Sequence, residues 1–177
     1  MTTMTFSDFK AFTSVPDINM GTYVIVARGV LDYVKNQYGI YPEVETIQIK
    51  QFLGNNTLSF TPEVYPIQNV YRIWYDAELI EDFSFYGRDI LLATPLPNYR
   101  IPLILELDVG FPTIPDDLVL AIFRHIEAVF YAIDKHTDNS LKVISTTGST
   151  TYFVNDVVPL ASKETYGYYA GRTLAKV

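Results

Sequence analysis

The sequence predicts an α+β fold, in which two main amphipathic helices pack with a small antiparallel β meander and are followed by an extended C-terminal arm. Apolar residues recur at helical spacing near the N-terminus and again after the middle of the chain, whereas the period changes to two between Pro42 and Phe111. The helical pattern does not continue into the last forty residues. We therefore expect a compact domain over 1–138 and a C-terminal extension, a hairpin and an arm, over 139–177.

Two N-terminal segments are predicted to be helices. The shorter one covers Phe6–Phe12, with Ser7 as a candidate N-cap. The longer one covers Asp17–Tyr38 and ends at Gly39, a residue that commonly stops helices. Its predicted buried stripe consists of residues three or four positions apart: Met20, Val24, Ala27, Leu31, Val34 and Tyr38.

Short alternating segments separated by Gly, Pro and Asn fill the middle of the chain. The predicted strands are Thr46–Lys50, Thr57–Phe60, Ile67–Tyr75, Phe83–Tyr86, Ile90–Ala93 and Ile101–Val109. Turn signals lie at Gly54-Asn55-Asn56 and at Gly87. Short strands joined in this way are typical of an antiparallel meander.

The second long helix is predicted from Thr113 to about His136. Thr113 is a candidate cap, Pro115 suits a first turn, and Asp116 lies at the positive end of the helix dipole. Its predicted buried stripe is Leu118, Ile122, Ile126, Val129 and Ile133. Beyond it, 141–156 is predicted to form a hairpin around Gly148, and the arm begins at Pro159.

Composition and charge exclude several classes of protein. The 177 residues include no cysteine, so disulfides, thiolate zinc sites and a cysteine nucleophile are excluded. Thirteen basic against twenty acidic residues give a net charge of −7, which disfavours a protein that grips nucleic-acid phosphates. No apolar run reaches the roughly 20 residues of a membrane span, and no signal peptide is visible, so we expect a cytoplasmic site of synthesis.

The acidity lies in the middle of the chain. Residues 41–117 carry four basic and twelve acidic residues, whereas 1–40 are neutral and 133–177 carry a net charge of +1. The densest carboxylate group is predicted to be an exposed loop between strands, without the spacing of a calcium-binding EF-hand. It consists of Asp76, Glu78, Glu81 and Asp82.

A search for catalytic chemistry predicts no enzyme, cofactor or metal site. The phosphate-loop, nucleophile-elbow, zinc-protease and dinucleotide-binding motifs are missing from the sequence. His125 and His136 are eleven residues apart on one predicted helix, about 16 Å, which is too far for one metal ion. We expect His125 to be a packed histidine.

Aromatic residues suggest binding to other proteins. Fourteen Tyr and eleven Phe exceed the needs of a small core, and Tyr is enriched at interfaces. Tyr166, Tyr168 and Tyr169 either form an interaction site on the arm or fold back onto the domain. Trp74 is predicted to be a core residue, with exposure for a ligand or glycan as the alternative.

Two segments resemble the head–tail connector, or adaptor, proteins of tailed bacteriophages. The segment FTPEVYPIQNVYRI at 60–73 resembles the strand of that family that follows a proline. The segment LILELDVGFPTIPDDL at 103–118 resembles the entry into the long helix of the family. The resemblance spans about 15–135; it departs from the family at Asp108, where Tyr is common, and in its longer C-terminal extension.

The resemblance implies a non-enzymatic structural protein of the virion neck, assembled in the host cytoplasm. Such a protein would form a homo-oligomeric ring, typically a dodecamer, between the portal and a downstream neck or tail protein, around a channel through which DNA passes without specific binding. The carboxylates at 76–82 would then line the channel. Candidate portal-binding residues are Tyr166, Tyr168, Tyr169, Arg172 and Lys176. The alternatives are another neck ring (a stopper or tail-completion protein) and, less favoured, a ligand- or glycan-binding module.

Overall fold

The computed structural model describes residues 4–54, 56–96, 100–135 and 157–174. Within them the α+β class is confirmed. The elements in chain order are α1 (Phe6–Phe12), α2 (Met20–Tyr38), β1 (Glu45–Gln51), β2 (Thr57–Phe60), β3 (Ile67–Tyr75), β4 (Glu78–Ile80), β5 (Phe83–Tyr86), β6 (Asp89–Leu96), β7 (Leu103–Val109), α3 (Asp116–Lys135) and α4 (Leu160–Leu174).

The chain divides into a helical unit, residues 1–38 and 113–169, and a strand unit, residues 39–112 and 170–177. The predicted boundary at 138 lies outside the described residues and stays a prediction, as does the predicted hairpin over 141–156. None of the helices in the described part of the chain is long and apolar enough to cross a membrane.

Side-chain caps fix where the first two helices begin. The N-cap of α1 is Thr5 rather than the predicted Ser7: the Asp8 N–H donates to Thr5 Oγ1 at 3.2 Å, and the Thr5 N–H donates to the Asp8 carboxylate at 3.1 Å. Helix α2 begins at Met20, because Asn19 Oδ1 accepts from the Thr22 N–H at 2.8 Å. The bonds at both caps satisfy amide groups that the first turn leaves without partners, and those of α1 are reciprocal.

The predicted buried stripe of α2 is wrong for its N-terminal half. Met20 and Val24 are 63% and 48% exposed, and Leu31 is half-buried. The buried residues of α2 are Tyr23, Val26, Val30, Tyr33 and Val34. The apolar sector of this helix is wider than one contact face, so spacing alone did not identify the side that packs.

The predicted stripe of α3 is confirmed at four of its five positions: Leu118, Ile122, Ile126 and Val129. The helix begins at Asp116, where the Pro115 carbonyl accepts from the Val119 N–H at 3.0 Å. Phe9 of α1 is fully buried, with its ring centroid 5.5 Å from that of Phe123. The helical unit therefore has an aromatic core centred on α3.

The last described segment is a helix, not the predicted extended arm. The Pro159 carbonyl accepts from the Lys163 N–H at 2.9 Å, and helix α4 continues to Leu174. The arm was predicted because no apolar stripe at helical spacing continues into this segment. Gly167 and Gly171 also lie in it, and glycine disfavours helices by about 1 kcal/mol per residue. Contacts with α3 offset that cost, as described below.

The strand unit contains two antiparallel sheets, of order β1-β7-β3-β4 and β2-β6-β5. It is therefore not the simple meander that was predicted, because the first strand pairs with the last. The predicted strands are all present, whereas β4 was missed. It follows a two-residue turn, Asp76-Ala77, in which both residues have positive φ (52° and 64°) without glycine.

The two sheets share one apolar core. Alternate side chains of the central strand β7 are buried, as the two-residue period requires: Leu103, Leu105, Leu107 and Val109. Residues of the second sheet, including Ile90 and Leu92, belong to the same cluster. Gly110 ends β7 at φ 107°, and a side chain there would collide with the backbone carbonyl of Glu43.

Candidate interaction surfaces

Helix α4 docks on α3 through buried polar contacts. Ser162 Oγ donates to the Ala121 carbonyl at 2.8 Å, and the Tyr166 hydroxyl donates to the same oxygen at 3.2 Å. The Tyr169 hydroxyl donates to Asp117 Oδ1 at 2.7 Å. Three side chains, spaced along one face of α4, therefore donate hydrogen bonds to acceptors in the first two turns of α3.

Two of the three candidate tyrosines are buried by this docking. Tyr166 is fully buried, and burial raises the pKa of its phenol. Tyr169 is 5% exposed, whereas Tyr168 is 57% exposed. The sequence left open whether these tyrosines form an interaction site or fold back onto the domain. In the structure, Tyr166 and Tyr169 fold back onto the domain.

The basic candidates give less information. Arg172 lies within α4, but its side chain is outside the described residues, as is the whole of Lys176. Exposed apolar surface on this helix is instead provided by Leu160, which is 72% exposed.

His125 is packed in an aromatic cluster, as predicted. It is fully buried, its ring lies 5.3 Å from that of Tyr33 in an edge-on arrangement, and its Nδ1 is 3.4 Å from the Tyr166 hydroxyl. His136 lies outside the described residues. Among the residues that the structure describes, no group of three or more His, Cys, Asp or Glu could hold a metal ion.

The four candidate carboxylates are all exposed, as predicted. Asp76 lies in the β3–β4 turn, Glu78 begins β4, and Glu81 and Asp82 connect β4 to β5. The predicted loop is therefore partly a hairpin, and it presents four negative charges within seven residues.

Trp74 is not a core residue, contrary to the prediction. It is half-buried and pairs across the sheet with Ile104 on one side and Leu79 on the other. Its neighbour Ile73 points into the core, and side chains alternate along a strand, so Trp74 lies on the opposite face. This outer face of the four-stranded sheet was not identified from the sequence, because Trp74 lies in a strand rich in apolar residues.

The same outer face carries a polar row around Asp108. Its carboxylate accepts from Thr46 Oγ1 at 2.6 Å and from the Tyr71 hydroxyl. These two bonds, the Thr46 bond first, lower the pKa of Asp108. At a neighbouring cross-strand pair, Arg72 Nη1 lies 3.5 Å from Glu106 Oε2. Asp108, the position that departs from the resembled family, thus links three neighbouring strands.

Comparison with solved structures identifies the same fold in phage-like particles. A chain in the neck of a native gene transfer agent (GTA) particle computed with C12 symmetry aligns at 11% identity and a TM-score of 0.56, covering 85% of both chains. The chain shares its fold with neck proteins. A chain in the neck of an empty GTA particle computed with C6 symmetry aligns at 11% identity and a TM-score of 0.57, covering 85% of this chain and 86% of the other.

A chain in the virion of a native gene transfer agent (GTA) particle gives the same result, at 10% identity, a TM-score of 0.56 and coverage of 85% and 87%. At these identities the likeness shows the fold. The resemblance to head–tail neck proteins, stated above from two sequence segments, is confirmed at that level. No family model and no curated protein sequence matches this chain.

Proposed function

We propose that this protein is a structural component of the neck of a tailed phage-like particle, where it forms a ring between the portal and a downstream neck or tail protein. The observation that carries the proposal is the fold likeness, which covers 85% of this chain and 85–87% of the chains in gene transfer agent particles. The role is structural, with localisation in the virion after assembly in the host cytoplasm.

A homo-oligomeric ring, a dodecamer in the first instance, is the proposed assembly. The similar chains come from particle necks computed with C12 and C6 symmetry. A ring requires a head-to-tail contact, in which two different surfaces of one subunit meet. This chain exposes an apolar surface on α2, in addition to the acidic β3–β4 hairpin and the outer face of α4 that are discussed below.

The acidic hairpin is proposed to face the DNA channel. Residues 76–82 carry four exposed carboxylates and no basic residue. Such a surface repels phosphates, so DNA passes it without binding. A structure of the assembled neck in which these carboxylates all point away from the channel would contradict this part of the proposal.

The portal contact is proposed to lie on the exposed face of α4, with Arg172 near the end of the helix and Lys176 beyond it. Tyr168 and Leu160 are the large exposed hydrophobic side chains of the described part of α4, whereas Tyr166 and Tyr169 hold the helix on α3. The partner would therefore contact α4 on its outer face, next to Arg172 and Lys176 in sequence.

Particle incorporation tests the function. A tagged chain supplied to assembling particles that lack it should be recovered with purified particles and restore tail attachment. Tyr168→Lys together with Leu160→Lys should abolish recovery without unfolding the chain, because both side chains are exposed. Tyr86→Lys, at an 89% exposed tyrosine in the β5–β6 hairpin, is the matched control. Unchanged recovery of the double variant would reject the α4 contact, and binding to a tail component but not to the portal would favour a stopper role.

A further inference from the structure

Helix α2 carries more apolar surface than its own unit uses. Successive residues of a helix are turned by about 100°, so the apolar side chains from Tyr33 round to Val24 span about 180°. A surface helix needs a sector only slightly wider than about 100°. The part left over is a row along one side of the helix, about 16 Å long. We call this the α2 row: Met20, Val24 and Leu31.

The α2 row is exposed although it is apolar. Met20 is 63% exposed, Val24 is 48% exposed and Leu31 is half-buried. Single exposed apolar side chains are common on proteins, whereas a contiguous group marks an interaction surface. The row lies on a convex helix surface, which suits another protein surface better than a small ligand.

Charge indicates what the partner is. The row is flanked by Arg28 and Lys35, and Asp32 is the one acidic residue on the described exposed side of α2. Outside the hairpin at 76–82, the segment 41–117 of the same chain still carries eight acidic and four basic residues. An apolar row with a basic flank is therefore complementary in charge to the surface that a second copy of this chain offers.

We propose that the α2 row is the apolar centre of the contact between neighbouring copies in the ring. The inference rests on the proposed function for the ring itself and adds the surface that closes it. The contact is head-to-tail, with α2 of one copy against a different, acidic surface of the next. An interface of ordinary size buries about 800 Å² per partner, so the row would form its centre and polar residues its rim.

The helix provides its own matched control. Val24 and Ile25 are 48% and 51% exposed and occupy adjacent positions, but Ile25 is turned about 100° away from the row. Lys at either position adds the same charge to the same helix. Circular dichroism and thermal unfolding of the full chain verify that both variants fold.

Sedimentation velocity of the full chain at increasing concentration is the experiment. The wild-type chain should associate reversibly, Val24→Lys should weaken association about tenfold or more, and Ile25→Lys should leave it unchanged. A wild-type chain that stays monomeric throughout, or equal weakening by both variants, would overturn the proposal. If the row packs within its own chain instead, Val24→Lys would destabilise the monomer without changing association, which also overturns the proposal.

Labelling in particles separates this proposal from the proposed function. The chain has no cysteine, so a single Val24→Cys or Ile25→Cys reports on one position. In purified particles we expect Val24→Cys to be protected from a maleimide and Ile25→Cys to react. If the chain is not found in particles but still self-associates through Val24 in solution, the neck function is rejected and the interface stands. If the chain is incorporated and Val24→Cys reacts with the maleimide, the interface is rejected and the neck function stands.

Discussion

Helices α2 and α3 belong to the same unit and are almost equally long, at 19 and 20 residues, but they use their apolar residues differently. Most apolar side chains of α3 are buried, and its exposed side is narrow and mixed, with Leu120, Arg124 and Tyr131. Helix α2 buries one face and leaves apolar residues on the next. The comparison teaches that spacing identifies a helix reliably but identifies its packed face only where polar residues occupy the remainder.

The largest expected effect separates the two helices directly. Ile122→Ala in α3 should lower the free energy of unfolding by about 2–5 kcal/mol, because Ile122 is fully buried and its removal leaves a cavity. Val24→Ala in α2 should change it by less than about 0.5 kcal/mol. Urea denaturation of both variants measures the difference. Similar losses in the two variants would mean that the α2 row is part of the core.

A smaller loss of unfolding free energy is expected at the hydrogen bonds between α3 and the segment that connects α1 to α2. The Glu127 carboxylate accepts from Thr13 Oγ1 at 2.8 Å and from the Ser14 N–H at 3.1 Å. Glu127→Ala should cost about 1–2 kcal/mol of unfolding free energy, since it removes bonds to a charged group that is partly exposed. Arg124→Ala, at an exposed position on the same helix, is the control and should be nearly neutral.

Removing the N-cap of α2 is expected to lower the free energy of unfolding by a smaller amount again. Asn19→Ala removes the side-chain oxygen that accepts from the Thr22 N–H and should cost about 1 kcal/mol. Asn36→Ala, at an exposed position within α2, should not destabilise the protein. Thermal unfolding of the pair tests whether the cap, rather than the loss of an amide, is responsible.

The smallest effect on stability should accompany a clear effect on association. Met20→Gln removes exposed apolar surface from the α2 row and should leave the unfolding free energy within about 0.5 kcal/mol of wild type. The same variant should weaken self-association in sedimentation velocity. If stability falls and association is unchanged, Met20 is a core residue and the comparison between α2 and α3 fails.

Local sequence signals predicted much of the fold. Strands β2, β3 and β5 begin and end at the predicted residues, because turn residues lie beside them: Asn56 before β2, Pro66 before β3 and Gly87 after β5. Strand β4 was missed because its turn, Asp76-Ala77, lacks the glycine that normally accompanies positive φ. The pairing of β1 with β7 depends on contacts between residues far apart in sequence, which periodicity does not specify.

The candidate surfaces were harder to predict than the elements. The exposure of the carboxylates at 76–82 followed from their polarity. Tyr166 and Tyr169 gave no comparable signal, because a tyrosine suits a core and an interface equally well and only the contacts with Ala121 and Asp117 decide between them. Trp74 and the α2 row were misplaced for the same reason, since apolar character does not say which neighbour an apolar group meets.

The pairing of β1 with β7 sets a condition on how this protein is made. Glu45 pairs with Val109, so the four-stranded sheet cannot close until the ribosome has released the whole segment between them. The core around Phe9 likewise cannot form until Phe123 has been synthesised. Both units therefore depend on contacts between distant residues, which slows folding and leaves strand edges open during synthesis. We expect nascent chains that end before α3 to be recognised by chaperones.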